Sequence, residues 1–472
     1  MGYIIYNGTI VTGEGEFNGI IITDGKYITD ILKEDNDQKI SFEGKLYDTR
    51  ELVKKLTGDN CSLTGIDANG KHIFAGGIDT HVHFREPGLT QKADMESESK
   101  AALLGGVTSF VDMPNTNPPT ISAERIKDKT ERAEGRCWAN YGFHLGATNS
   151  NFDEINSIIR GTGNISAEDF GGVKVFMGSS TGNMLVDDES SLSALFSIKE
   201  KPVLVHCEDE NTIRENTLLA QEKYGENIPF SAHRDIRSRR ACILSSIKAL
   251  ETAIQKGTRL HLLHVSTMEE VQMIRAAKMS NMKITAETSA NYLWFCDKDY
   301  DRLGSRVKCN PSVKTEKDRA ALREALKEGI IDSIGSDHAP HLLSEKEGNY
   351  LKTPSGLPSI QQTLSVLLTV AKEDDIPLSR IAAAFSENPA RILGIRERGY
   401  LKKGYRADIV ITDTEQSYHI GKDNVSYKCG WSPYEGAAMT GKVESVIING
   451  KMEVSGGKLI EGAAPEGEKL VF

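Results

Sequence analysis

The chain has 472 residues, with 57 Lys and Arg against 67 Asp and Glu and a formal net charge of −10. At roughly 150 residues per domain this is too long for one small domain, whereas a single α/β barrel absorbs about 250. The acidic balance argues against a general nucleic-acid binder. No run approaches the roughly 18 apolar residues of a membrane span, and the first ten residues lack the basic flank and cleavage site of a secretory signal. The seven cysteines are scattered, with no Cys-x-x-Cys, and read as the reduced thiols of a cytoplasmic protein.

The first 30 residues hold short strand-like runs at Tyr3–Tyr6, Gly19–Ile22 and Tyr27–Thr29, with turn signals at Asn7-Gly8 and Asp24-Gly25. From 73 to 397 the pattern changes. Eight apolar runs follow one another: Ile73–Ile78, Val107–Met113, Tyr141–Gly146, Val173–Met177, Pro202–Val205, Leu260–Leu263, Ile284–Ala286 and Ile330–Gly335. Amphipathic stretches such as Lys92–Leu104, Ser238–Lys256 and Lys314–Lys327 lie between most of them. Eight strand-plus-helix units predict an α/β fold, a (β/α)8 TIM-like barrel. No Gly-x-Gly-x-x-Gly opens a helix after the first run, which disfavours the doubly wound rival. Strand runs return at Ala407–Ile411 and Val443–Ile448, followed by an Asn449-Gly450 hairpin signal. Both ends, 1–72 plus 398–472, are expected to build one small β-sandwich domain around the barrel at 73–397.

Barrel chemistry sits where the strands end. His81 and His83 follow run one, Asn115 follows run two, Lys174 lies inside run four, His206 follows run five, His264 run six and Asp337 run eight. Two imidazoles at the strand period of two share a face, as a common metal needs. Each residue alone reads as an ordinary strand-end His or an N-cap Asp. Six at the same end of successive strands read as a metal site. His261 is out of phase with His264 and is expected to face the helices. His144, His72, His233 and His419 read as structural or surface, and His338 should point away from Asp337. Lys174 places one cation in an apolar strand. It is either a snorkelling side chain or an amine whose pKa falls on burial, able to take up CO2 as a carbamate that bridges two metal ions.

These residues sit in motifs. Asp79-Thr80-His81-Val82-His83-Phe84-Arg85-Glu86-Pro87-Gly88 and Met113-Pro114-Asn115-Thr116-Asn117-Pro118 are followed by the run from Gly178 to Leu185. Val205-His206-Cys207-Glu208, His264-Val265-Ser266-Thr267, Cys309-Asn310-Pro311 and Ser336-Asp337-His338-Ala339-Pro340-His341 complete the set. In this order they resemble dihydroorotase of the amidohydrolase superfamily, over nearly the whole chain. The resemblance implies one or two Zn2+ ions held by His81, His83, His206, His264 and Asp337, with a carbamate on Lys174 as the bridge. It implies reversible cyclisation of N-carbamoyl-L-aspartate to L-dihydroorotate, a step of pyrimidine synthesis. It further implies a small-molecule substrate, no nucleic acid, no membrane, a homodimer, and room for association with aspartate transcarbamoylase. Some relatives carry Asp at the bridging position. Two departures touch no motif residue: Ala75 replaces a usual Pro, and 35–62 reads as an insertion of unassigned role.

Chemistry adds roles. A metal brings bound water to a pKa near 7, and Asp337 would pass the proton between that water and the ring nitrogen. Arg85, two positions after His83 and taken to share its strand face, would bind a carboxylate bidentately; its bland alternative is an ion pair with Glu86 or Asp112. Asn115, Asn310 and His341 would assist. The loop 342–358 should present Ser355-Gly356-Leu357-Pro358 to substrate, with Gly356 in the pocket. Dihydropyrimidinase, hydantoinase and allantoinase activities, on rings without a carboxylate, stay as alternatives, as does a non-catalytic assembly partner.

Overall fold

In the middle of the chain, eight parallel strands form, each covered on both faces and buried along almost its whole length. They are β1 (Gly77–Val82), β2 (Val107–Asp112), β3 (Asn140–Phe143), β4 (Val173–Phe176), β5 (Val203–His206), β6 (Leu260–Leu262), β7 (Thr285–Ser289) and β8 (Ser333–Gly335). The computed structural model that shows them describes residues 2–58, 63–178 and 184–472. Neighbouring strands pair in chain order, Leu145–Gly146 carrying the ladder from β3 to β4. A bridge from Val82 to His338 closes the ring, reinforced by the His83 amide donating to the His338 carbonyl at 2.8 Å. Helices between the strands form the outer layer, among them Met95–Leu104, Arg239–Lys256, Met268–Ser280 and Glu316–Glu328. Capping boxes start three of these, Asp94 with Ser97, Thr267 with Glu270 and Thr315 with Asp318. Among the described residues no helix is long and apolar enough to cross a membrane.

The first apolar run, expected as one strand, is two. His72–Ala75 leaves the barrel and pairs with Ile409–His419, and β1 begins only at Gly77. The break falls on Gly76-Gly77. A Cβ on Gly76 would meet the Thr108 side chain at 2.1 Å, and one on Gly77 the Phe385 ring at 2.2 Å. Only glycine lets the backbone cross between the two sheets there.

Both chain ends share one nine-stranded sheet in which Gly2–Thr12, Gly15–Asp24 and Tyr27–Lys33 join His72–Ala75, Ile409–His419, Ala438–Ile448 and Lys451–Ser455. The Met452 amide donates to the Tyr3 hydroxyl at 3.5 Å although several strands separate them in sheet order, so the sheet curls over itself. Ile5, Ile21, Ile28, Ile409, Ile411 and Ile447 fill the space between its halves. Asn7-Gly8, expected as a turn, is a bulge inside one long strand. The register shifts between Ile5 and Gly8, with Asn7 at φ 56°. Asn449-Gly450 is a hairpin turn with both residues left-handed. The described part of segment 35–62 forms a hairpin (Lys39–Phe42, Lys45–Asp48) and a helix (Thr49–Leu56), whose Ile40, Leu52 and Val53 bury the outer face at Ile4, Ile20 and Ile22.

Candidate active site

The C-terminal ends of the strands bring the expected residues together. β1 supplies His81, and the turn after it His83. Both Nε2 atoms face one carboxylate oxygen of Asp337, at 3.4 and 3.2 Å. These three residues form a cluster that could hold a metal ion. The orientation of each imidazole is fixed from behind. His81 Nδ1–H donates to Glu287 Oε1 at 2.8 Å, and His83 Nδ1–H donates to Asn115 Oδ1 at 2.8 Å. With the proton held on Nδ1, the Nε2 lone pair of each ring points forward. Burial works against charge on Asp337, but His81 and His83 outweigh it and hold its carboxyl below the usual range.

β5 and the bend after β6 bring His206 and His264 alongside. His206 Nδ1 lies 2.8 Å from His264 Nε2, and the His264 ring centre is 5.2 Å from that of His81. His206 Nε2 lies 3.0 Å from Glu208, which forms a buried ion pair with Arg237. Lys174 Nζ comes from β4, 4.3 Å above the Phe176 ring, and burial pushes its ammonium down to about 7. Lys174 Nζ and His264 Nδ1 are buried with no hydrogen-bond partner among the described residues. Unmet nitrogens beside three converging ligands fit a bound cation. A near-neutral buried amine likewise fits carbamate formation on Lys174.

Three of the site residues, Arg85, His264 and Asp337, have φ of 66°, 39° and 49°. L-residues adopt this region at a cost, and such strain gathers at functional sites. The His264 bend also corrects the reading of His261. β6 ends at Leu262, so strand alternation does not run on to His264, and His261 faces the barrel interior. Its Nδ1 is 2.8 Å from Thr285 Oγ1 and its Nε2 3.7 Å from Glu287. His338 does point outward, to Glu98 at 2.8 Å.

Beside Asp337 opens a cleft whose lining includes His83, Arg85, Asn115, Asn310, Ser355 and Gly356. Arg85 reaches it from the turn after β1 rather than from the strand face. Its Nε–H donates to the Pro340 carbonyl at 3.1 Å, and a terminal nitrogen lies 3.1 Å from His341 Nε2. Glu86 and Asp112, its alternative partners, instead hold Arg136 and Lys129. Burial lowers the guanidinium to about 10, so it remains a cation at neutral pH. Of the loop segment expected at the pocket, Ser355 and Gly356 line the cleft. Leu357 is buried and pairs with His338. The loop is pinned by Lys346, whose Nζ donates to the carbonyls of Pro354 and Gly356 at 2.9 and 3.0 Å. Of the run Gly178–Leu185, residues 179–183 lie outside the described residues.

Sequence reasoning missed Glu287. Its signal was positional: it directly follows the seventh apolar run, Ile284–Ala286, at the strand end where barrel chemistry gathers. Trp431 was also missed. It lies between the strands Ile409–His419 and Ala438–Ile448, and its Nε1–H donates to the His341 carbonyl at 2.8 Å. No local pattern announces a contact 90 residues away.

Comparison with known proteins agrees with this geometry. The chain is 35% identical over 382 residues to a dihydroorotase of Methanosarcina acetivorans, covering 79% of each protein. It is 28% identical over 477 residues to an allantoinase of Desulfitobacterium hafniense, covering 99% of this chain and 98% of that one. Its fold matches the L-hydantoinase of Arthrobacter aurescens with a TM-score of 0.88 at 24% identity, over 100% of this chain and 99% of that one. The amidohydrolase family model matches residues 72–452. The chain belongs to the amidohydrolase family.

Proposed function

We propose that this amidohydrolase acts on cyclic amides and that its substrate is L-dihydroorotate, opened reversibly to N-carbamoyl-L-aspartate. The observation that carries the choice of substrate is Arg85, a buried cation lining the cleft that Asp337 and His83 also line. Dihydroorotate bears a carboxylate, whereas the unsubstituted dihydropyrimidine, hydantoin and allantoin rings do not. A buried guanidinium without an anion is costly, and a carboxylate on the ring removes that cost. The dihydroorotases among the relatives support the same reading.

The residues fit Zn2+, with His81, His83, His206, His264 and Asp337 as ligands and a carbamate on Lys174 as the bridge. When bound it would supply water of lowered pKa and polarise the ring carbonyl. Asp337, ionised at neutral pH, accepts a proton from the attacking water as the water oxygen bonds to the ring carbonyl carbon. It then returns that proton to the ring nitrogen as the carbon–nitrogen bond breaks. In the reverse direction it takes the proton from the ureido nitrogen. Arg85, Asn115 and Asn310 orient the ring and its carboxylate.

The test is kcat/KM for dihydroorotate and for dihydrouracil, hydantoin and allantoin, in the wild type and in Arg85→Met. Losing a charge-assisted pair of about 1.5–3 kcal/mol predicts a roughly 10- to 200-fold fall for dihydroorotate alone. A wild type that prefers an uncharged ring, or a variant equally impaired on all rings, refutes the assignment and favours a hydantoinase- or allantoinase-type enzyme.

A further inference from the structure

His341 stands between two cations. Lys92 Nζ lies 3.1 Å from its Nδ1, and an Arg85 terminal nitrogen lies 3.1 Å from its Nε2. Both neighbours only donate, and a neutral imidazole has one acceptor nitrogen. Burial, with Arg85, Lys92 and Lys346 adding to it, drives the ring's pKa far down, so a second proton does not enter. One of the two contacts therefore goes without a lone pair. The carbonyl of Ser355, 3.1 Å from Nε2, decides which, because the Glu345 carboxylate on the other side lies 3.8 Å from Nδ1, beyond a hydrogen bond. It only accepts, so it calls for a proton on Nε2. Nδ1 then carries the lone pair, and Lys92 holds it.

We propose that Lys92 is a positioning residue for the carboxylate site: by donating to His341 Nδ1 it keeps the proton on Nε2, and so keeps Arg85 from spending an N–H on the ring. This rests on the reading that Arg85 binds a substrate carboxylate. The opposite tautomer, with Nδ1–H and a bare Nε2, would capture one arm of the guanidinium and leave Ser355 without its donor.

The local chain suits the role. Leu89 N–H donates to the Arg85 carbonyl at 2.9 Å, and Lys92 N–H to the Leu89 carbonyl at 3.0 Å, so Arg85 and Lys92 share one short turn. The Lys92 side chain is 12% exposed and is steadied by Glu345 at 2.7 Å. Its ammonium is thus held at the imidazole rather than in water. His341 is held from its own backbone by Trp431, so the ring cannot follow a change on one side without losing contacts on the other.

The experiment compares Lys92→Met, Lys92→Arg and Glu345→Gln with the wild type, on dihydroorotate and on an uncharged ring. Lys92→Met should raise KM for dihydroorotate about 10-fold, the scale of one charge-assisted hydrogen bond, with kcat little changed. KM for the uncharged ring should stay put. Lys92→Arg, still only a donor, should recover most of the loss, and Glu345→Gln, which removes the charge that steadies Lys92, should raise KM for dihydroorotate in the same direction but by less. In parallel, 15N-histidine spectra of the wild type, with His341 assigned by its loss in His341→Gln, should show the Nε2–H tautomer. This arm does not depend on any Lys92 variant folding. A Nδ1–H tautomer in the wild type overturns the proposal, as does an unchanged KM for dihydroorotate in a folded Lys92→Met. Either result leaves the dihydroorotase reading intact. A wild type that turns over only uncharged rings overturns both.

Discussion

Glu287 carries no role in the reaction outlined above, yet the orientation of His81 depends on it. Its carboxylate is fully buried. One oxygen accepts His81 Nδ1–H at 2.8 Å, and the other accepts the Thr80 hydroxyl at 3.2 Å and lies 3.7 Å from His261 Nε2. Burial alone would raise its pKa, but His81 and His261 more than compensate, and it stays ionised. Glu287→Gln keeps the shape and removes the charge. An ionic hydrogen bond contributes about 1.5–3 kcal/mol and a neutral one about 0.5–1.5. Weakening the bonds to His81 and Thr80 by about 1–1.5 kcal/mol each therefore costs about 2–3 kcal/mol together. Carboxylates behind a metal-binding His affect metal affinity by about 10- to 100-fold, the same scale. The assay is competition for Zn2+ between the apoprotein and a chromophoric chelator, with circular dichroism as the control for folding. A folded Glu287→Gln that binds Zn2+ as tightly as the wild type would refute the claim that this carboxylate sets the His81 tautomer.

Two further outcomes are expected. Gly356→Ala should lower the melting temperature and raise KM, because the residue sits at φ 142° and a Cβ would meet the Ala339 carbonyl oxygen at 2.5 Å. Strain of this kind costs about 1–3 kcal/mol, and a variant as stable and active as wild type would refute it. Lys201 is buried away from the site, and burial, helped by Arg259, lowers its ammonium from 10.5 to about 8. Between pH 8 and 10.5 the unfolded chain holds this proton and the folded chain does not, so stability from this group rises with pH and the full penalty stands below pH 8. Lys201→Met should therefore raise the free energy of unfolding at pH 7 by up to about 3 kcal/mol before loss of its contacts with Phe170 and Phe472, and should gain much less at pH 10. An equal change at both pH values contradicts this.

The barrel was readable because its strands are short, buried on both faces and spaced by amphipathic helices, and the clustered residues were found by looking at strand ends, where barrel chemistry gathers. What failed was local parity. A two-residue period placed His261 outward by counting back from His264, but the chain bends before His264 and the count does not carry across the bend. Arg85 was placed on a strand by the same count. It lines the cleft from a left-handed turn, not from a strand, so the count misplaced its geometry. Asn7-Gly8 has the composition of a turn and forms a bulge, because strand pairing on both sides continues the sheet past it. Glu287, Lys92 and Trp431 act through partners 206, 249 and 90 residues away, and their roles exist only once the fold has closed.

The curled sheet ties the completion of the barrel to the order in which the chain is made. All eight barrel strands have emerged from the ribosome once residue 335 has. By then His72–Ala75 still lacks one neighbour, because Ile409–His419 has yet to be synthesised. Asn140, at the start of β3, likewise waits for Asp408 and Asn449, and the His341 backbone waits for Trp431. A nascent chain at this stage holds an open sheet edge, the kind of surface on which strands from other chains pair. Late-synthesised segments thus close the edge and brace the loop after β8 together. A ribosome stalled before residue 409 would release a chain that holds all six proposed metal ligands, an unbraced loop after β8 and an edge prone to aggregate.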